Sequence, residues 1–407
     1  MSQCQIDADG AVEAVQAPVA GSLPAVRLTA VGMSLIAVCY GLARFAYGLF
    51  VPSFRAAFGL DATAVGGVAS GSYAGYCVAV VLAAVATTRW GPRAVGVAAG
   101  TCAAAGTGLV ALAPSAPVLA TGIVLAGSSP GLASPPMARA VARHVRPGLQ
   151  ARAQTVVNAG TGVGVLVSGP VAMLAAGEHW RWAWAGFSLV ALVVTVWTAR
   201  TVPPPDTGDR TVATTAPAGC PAPRPGRRRG WLPPGARVLL TAAVLMGLGS
   251  AAVWTFARDL VTTAGLSDLT ASTLWIVLGA AGLLGAWAGD LTARLGPTRC
   301  WVIAMLLLAA ATTVLALAPG LAPLALGAAA VFGAVYIALT GFLLLWATRT
   351  YPDRPVLGVG AAFLLIALGQ ALGAPLLGLL ADTLGMPAAF LCAAGVSVLG
   401  VLARPAR

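Results

Sequence analysis

The segment "PPPDTGDRTVATTAPAGCPAPRPGRRRG", Pro203–Gly230, decides how the chain is organised. It is rich in Pro, Gly, Thr and Arg and carries too little apolar surface to bury a core, so it reads as a flexible linker. On both sides of it apolar runs of about 20 residues recur, each long enough as a helix to cross a ~30 Å hydrocarbon layer. Before the linker, helices are predicted over 27–51, 64–87, 94–112, 117–142, 152–176 and 181–201; after it, over 236–260, 270–291, 301–318, 322–348, 356–381 and 387–403. Six helices, a linker and six helices predict an all-α membrane protein with twelve transmembrane helices, arranged as two six-helix bundles related by pseudo-two-fold symmetry. The expected divisions are a disordered cytoplasmic tail (1–26), an N-terminal bundle (27–201), a cytoplasmic linker (202–235) and a C-terminal bundle (236–407).

Composition supports a lipid environment. Of 407 residues, 58% are hydrophobic and 9% charged, too little polar surface to cover a soluble core of this size. The net charge of +12 is carried by arginine alone. These arginines lie between apolar segments, not on a soluble face, so they act as topology signals and nucleic acid is not an expected partner. Of the 24 basic residues, all but Arg44, Arg55, Arg181 and Arg258 fall on the side that holds both termini. The positive-inside rule then places both termini in the cytoplasm and the protein in the inner membrane. The seven cysteines show no ligand spacing, so no metal site or disulfide framework is expected. Residues 1–26 lack a basic n-region, which argues against a cleaved signal peptide. No P-loop, zinc-protease helix or nucleophile elbow is present; no catalysis, ATP drive or cofactor is expected. A monomer is expected.

The halves repeat one another at an offset of 205 residues. "RWGP" (Arg89–Pro92) falls on "RLGP" (Arg294–Pro297), "ALAP" (Ala111–Pro114) on a second "ALAP" (Ala316–Pro319), Pro147 on Pro352, Gly164 on Gly369 and Pro170 on Pro375. An even number of helices per unit keeps the two copies parallel, the arrangement used by alternating-access carriers.

With these features the chain resembles the major facilitator superfamily over nearly its whole length. "GLARFAYGLFVPSFRAAFGL" (Gly41–Leu60), "SYAGYCVAVVLAA" (Ser72–Ala84) and "WTFARDLVTTAGLS" (Trp254–Ser267) resemble its bacterial YbfB/YjiJ-type permease branch. The superfamily's gate loop has the pattern Gly-x-x-x-Asp-Arg-x-Gly-Arg-Arg. Arg89, Gly91 and Arg93 match it in the first half, with Ala84 at the glycine position and Thr88 at the aspartate, and Gly289, Arg294 and Gly296 match it in the second, with Ala293 at the aspartate. Asp290, about one turn earlier, is the candidate substitute. Plain positive-inside anchoring is the competing explanation for these arginines. "NAGTGVGVLVSGP" (Asn158–Pro170) resembles a degenerate helix-5 antiporter motif, or is plain small-residue packing.

Arg44 stands well inside an apolar helix, where insertion costs about 2.5–3.5 kcal/mol unless it meets a cavity or a partner. Tyr40, Arg44 and Tyr47 at i, i+4 and i+7 would share one helical stripe, suited to an anionic or hydroxylated solute. A structural arginine bonded to carbonyls, or one snorkelling outward, is the alternative. Tyr73, Tyr76, Asn158, Trp254, Tyr336 and Gln370 lie at mid-helix depth on helices that line the cavity in the superfamily. No carboxylate lies at mid-depth; Asp259 and Asp382, near helix ends, are the candidates for proton coupling. The resemblance implies a secondary transporter that moves a small solute by alternating access, with efflux of an amphipathic or anionic compound favoured. The rival is a non-transporting sensor or partner subunit, favoured by the missing loop aspartates and mid-depth acids.

Overall fold

The computed structural model describes residues 25–175, 179–204, 232–352 and 354–405. Residues 1–24 of the predicted tail and 205–231 of the predicted linker lie outside the described residues, while Ala25 and Val26 already belong to the first helix. Helix α1 is Ala25–Phe58. Helices α2 (62–90) and α3 (92–111) are the arms of the 50-residue run Ala62–Ala111, which bends at Gly91. Then follow α4 (Ala116–His144), α5 (Pro147–Leu174), α6 (Trp180–Thr201) and α7 (Ala236–Thr263). Helix α8 (268–295) passes through a 3₁₀ turn at Leu283–Trp287. Helices α9 (Pro297–Leu317), α10 (Ala322–Thr350), α11 (Pro355–Leu384) and α12 (Met386–Leu399) complete the chain. Ten of these runs among the described residues can cross a membrane by length and apolarity. Counting the bent run twice and adding the shorter α12 gives the twelve-helix fold.

The repeated Arg-x-Gly-Pro segments build the same turn in each half. Gly91 (φ 80°) and Gly296 (φ 82°) both take the positive-φ conformation that glycine tolerates, and the following proline opens the next helix. Within each half the fifth helix lies on the first through a glycine that meets a backbone carbonyl. Gly164 faces the Ala37 carbonyl, and Gly369, at the repeat offset, faces that of Val244. Pro170 and Pro375 lie inside α5 and α11, the fifth helix of each half.

The halves meet along three crossings, α1–α7, α2–α11 and α5–α8. A Cβ on Gly48 would overlap the Trp254 carbonyl, on Gly66 that of Ala374, and on Gly378 that of Ala62. With hydrocarbon outside, helix pairs gain from close backbone approach and dispersion, which small residues allow.

Two departures from the sequence reading bear on the site. Helix α1 runs past the expected end at 51 to Phe58 and stops at Gly59 (φ 66°), whose amide donates to the Arg55 carbonyl. Pro52 lies inside the helix without ending it. The stretch Ala37–Phe45 of α1 is π-helical. Its wider turn changes which residues share a face.

Candidate functional site

The π-helical stretch carries Tyr40 and Arg44 at the centre of the molecule, between the halves. Its Gly41 packs on the Gly164 backbone of α5, which draws the two helices together. Arg44 is 6% exposed, so it does not snorkel. Its Nη2 donates to Gln370 Oε1 of α11 at 3.1 Å, and Gln370 Nε2 donates to the Tyr336 hydroxyl of α10 at 3.2 Å. The cation therefore reaches across to the opposite half.

Aromatic rings surround the guanidinium. Its carbon lies 4.3 Å from the Tyr76 ring centroid, 4.9 Å from Tyr73, 5.4 Å from Phe45 and 5.9 Å from Tyr40. Cation–π attraction of this kind strengthens when the cation is desolvated, to about 2 kcal/mol per contact. This offsets much of the cost of a buried charge without any carboxylate. The Tyr40 hydroxyl shares hydrogen bonds with Tyr76 (3.2 Å) and Ser134 (3.0 Å), holding the rings in place. Phe45 stacks on Trp254 of α7 at 4.1 Å, and Trp254 meets Tyr336 edge-on at 5.1 Å.

Several donors in and beside this layer are buried without a partner among the described residues: Arg44 Nε and Trp254 Nε1, then Thr255 Oγ1 and Arg258 Nε and Nη1 further along α7. Buried polar groups are normally satisfied.

Of the predicted site residues, the structure brings together Tyr40, Arg44, Tyr73, Tyr76, Trp254, Tyr336 and Gln370. Tyr47 stands apart: the π-helical turn shifts its phase, and its hydroxyl donates to the Val65 carbonyl while its ring stacks with Phe54. Asn158 is exposed and accepts from Gln154 Nε2 at 3.1 Å. It lies one turn from Gly162, on the α5 face that meets α8, away from the aromatic layer. Phe45 and Ser134 were not anticipated. The signal that could have found Ser134 is its place beside Pro135 and Pro136 inside α4; Phe45 carries none.

The two candidate coupling acids both tie the halves together at the end opposite the termini. Asp259 of α7 pairs with Arg55 of α1. Asp382 of α11 accepts from the Ala62 and Thr63 amides (3.0 and 2.7 Å) and the Thr63 hydroxyl (2.6 Å), capping the N-terminus of α2. Arg258 pairs within its own half, with Asp268. In the gate loops, Gly91 and Gly296 form the turns described above, while Arg89 and Arg294 are exposed and Arg93 is half-buried. The Asp290 side chain lies outside the described residues.

The family profile described as Major Facilitator Superfamily matches residues 33–365. The chain belongs to the major facilitator superfamily. No curated protein matches the sequence, but solved structures of this superfamily's shape do. The nucleoside transporter NupG is similar with a TM-score of 0.72 at 12% identity, covering 93% of this chain and 97% of its own. The xylose transporter XylE from E. coli, in a partially occluded inward-open conformation, gives 0.72 at 13% identity, with 93% and 96% covered. A bacterial homolog of the human lysosomal transporter Spinster, inward-facing and occupied, gives 0.69 at 16% identity, with 94% and 95% covered. At such identities the likeness speaks for the major facilitator fold alone.

Proposed function

We propose that this superfamily member moves a small amphipathic or anionic solute across the cytoplasmic membrane by alternating access, with Arg44 as the binding cation. The observation that carries this reading is Arg44 itself: a buried guanidinium at the junction of the halves, held by rings and an amide, with no carboxylate partner among the described residues. An anionic solute supplies the missing counter-charge, and the surrounding rings accept its apolar part. The structural neighbours, named as transporters of a nucleoside and of xylose, support carriage of a small solute. Efflux and the YbfB/YjiJ-type branch rest on the resemblance of Gly41–Leu60, Ser72–Ala84 and Trp254–Ser267. Purified protein in liposomes loaded with a panel of small aromatic and aliphatic carboxylates should release at least one of them faster than empty liposomes. Release indistinguishable from empty liposomes across the panel and its neutral analogues would favour the sensor alternative.

We assign the end holding the termini to the cytoplasm, from the arginine distribution. Reporter fusions at Gly226 and after Arg407 should both give cytoplasmic signals; a periplasmic signal at either reverses the orientation.

At the end opposite the termini the halves are joined by the Arg55–Asp259 pair and the Asp382 cap. We propose that opening there requires both to break, and that protonation of Asp259 is how a proton gradient biases the step. Asp259→Asn should raise hydrogen–deuterium exchange over residues 52–66 by about threefold to tenfold, the value of one partly exposed charged hydrogen bond. Unchanged exchange would mean that the pair does not hold the seam.

A further inference from the structure

Away from the central site, the C-terminal half has a cavity of about 780 Å³ at the end that holds the termini. Its wall combines the start of α7, the first turn of α9, the last turn of α10 and the segment after α12. Arg349 and Arg404 line it, and no carboxylate lines it among the described residues. Both guanidiniums belong to exposed residues and neither forms an ion pair among the described residues. The hydroxyls of Thr298 and Thr350 are already used, donating to the carbonyls of Pro405 (3.1 Å) and Trp346 (2.9 Å). The first of these bonds fixes the chain after α12 as one wall. The free donors are therefore the two guanidiniums, joined by the Thr298 amide, which precedes the first backbone bond of α9, from Cys300 to Gly296.

The rest of the lining is apolar and aromatic. Trp301 and Trp346 meet edge-on at 5.7 Å, and Trp301 is anchored by its Nε1 donating to the Gly400 carbonyl at 3.0 Å. Leu402, 78% exposed, forms part of the rim. Two cations over an aromatic floor with an aliphatic edge match an anion that carries a hydrocarbon tail. A freely soluble anion uses the guanidiniums but has no use for the exposed leucine. Tryptophan also concentrates at the headgroup level of a bilayer, and basic pockets between helices on the cytoplasmic side take phosphate headgroups.

We propose that this cavity binds the phosphate headgroup of an acidic phospholipid, with Arg349 and Arg404 on the phosphate and an acyl chain leaving past Leu402. The site is separate from the solute site, so it stands or falls independently of the transport reading.

The full-length protein in detergent, titrated with phosphatidylglycerol, phosphatidylcholine or inorganic phosphate and read by native mass spectrometry, tests the proposal. Phosphatidylglycerol should be retained in preference to phosphatidylcholine. The Arg349→Gln/Arg404→Gln variant should weaken that retention about thirtyfold, each guanidinium contributing about fivefold. The Arg349→Lys/Arg404→Lys variant should keep most of it, which separates lost charge from lost folding. Arg27→Gln/Arg200→Gln, at the same end of the other half, should bind normally. Equal retention of phosphatidylcholine, equally tight inorganic phosphate, or an equal loss in the Arg27/Arg200 variant would each overturn it.

Discussion

Replacing Arg44 with leucine is expected to abolish solute flux, by 100-fold or more, while the protein reaches the membrane at normal levels. Leucine removes the only cation of the aromatic layer among the described residues and frees the Gln370–Tyr336 pair. It also lowers the cost of inserting α1, since arginine at a helix centre costs about 2.5–3.5 kcal/mol on insertion scales. A loss of activity with unchanged yield and melting temperature therefore assigns Arg44 to solute binding. Arg44→Lys keeps the charge but loses the planar fork that stacks among Tyr40, Phe45, Tyr73 and Tyr76 while its Nη2 holds Gln370. It should retain a few per cent of the flux. Wild-type flux in Arg44→Leu would remove the argument for an anionic solute.

The largest effect on folding is expected at Gly41. A side chain there has nowhere to go, because its first carbon already overlaps the Gly164 backbone. Backbone cannot rotate away as a flexible side chain can, so α1 and α5 must separate along their crossing. Overpacking commonly costs about 1–3 kcal/mol even where side chains yield; against rigid backbone the cost lies at or above that range. Gly41→Val should abolish the monodisperse peak in size-exclusion chromatography or lower the melting temperature by more than about 5 °C. Gly67→Val is the matched control, since a Cβ at Gly67 meets nothing within 4 Å. Equal behaviour of the two variants would show that the crossing is looser than described.

Much of this architecture is written in local chemistry. The Arg-x-Gly-Pro turns are readable because a positive φ needs glycine and a helix start suits proline, so the same letters give the same bend wherever they recur. Arg44 is readable because a charge in hydrocarbon must find company. What was not readable is where that company stands. Tyr47 was placed with Arg44 by counting 3.6 residues per turn, and the π-helical stretch changes the count. Nothing in Ala37–Phe45 advertises that stretch, and the Gly41–Gly164 contact within it joins residues more than a hundred positions apart. Asn158 was placed by depth and by its helix, which fix height and neighbourhood but not the direction a side chain faces. Asp259 and Asp382 had been noticed as isolated acids, but their partners, Arg55 and the α2 N-terminus, belong to the other half and appear only once the halves are packed.

The wide turn in α1 has a consequence for comparing this helix with its relatives. A helix that absorbs one extra residue in a widened turn keeps the backbone on both sides in place, so each place past the insertion is filled by the next residue along, and a given residue number sits roughly 100° from where ordinary turns would put it. Angular position around the axis then depends on how many residues precede a side chain as much as on what that side chain is. An alignment drawn straight through Ala37–Phe45 against a cousin with ordinary turns would pair letters that point in different directions. In this helix, homology of position has to be judged by compass bearing before it is judged by residue number.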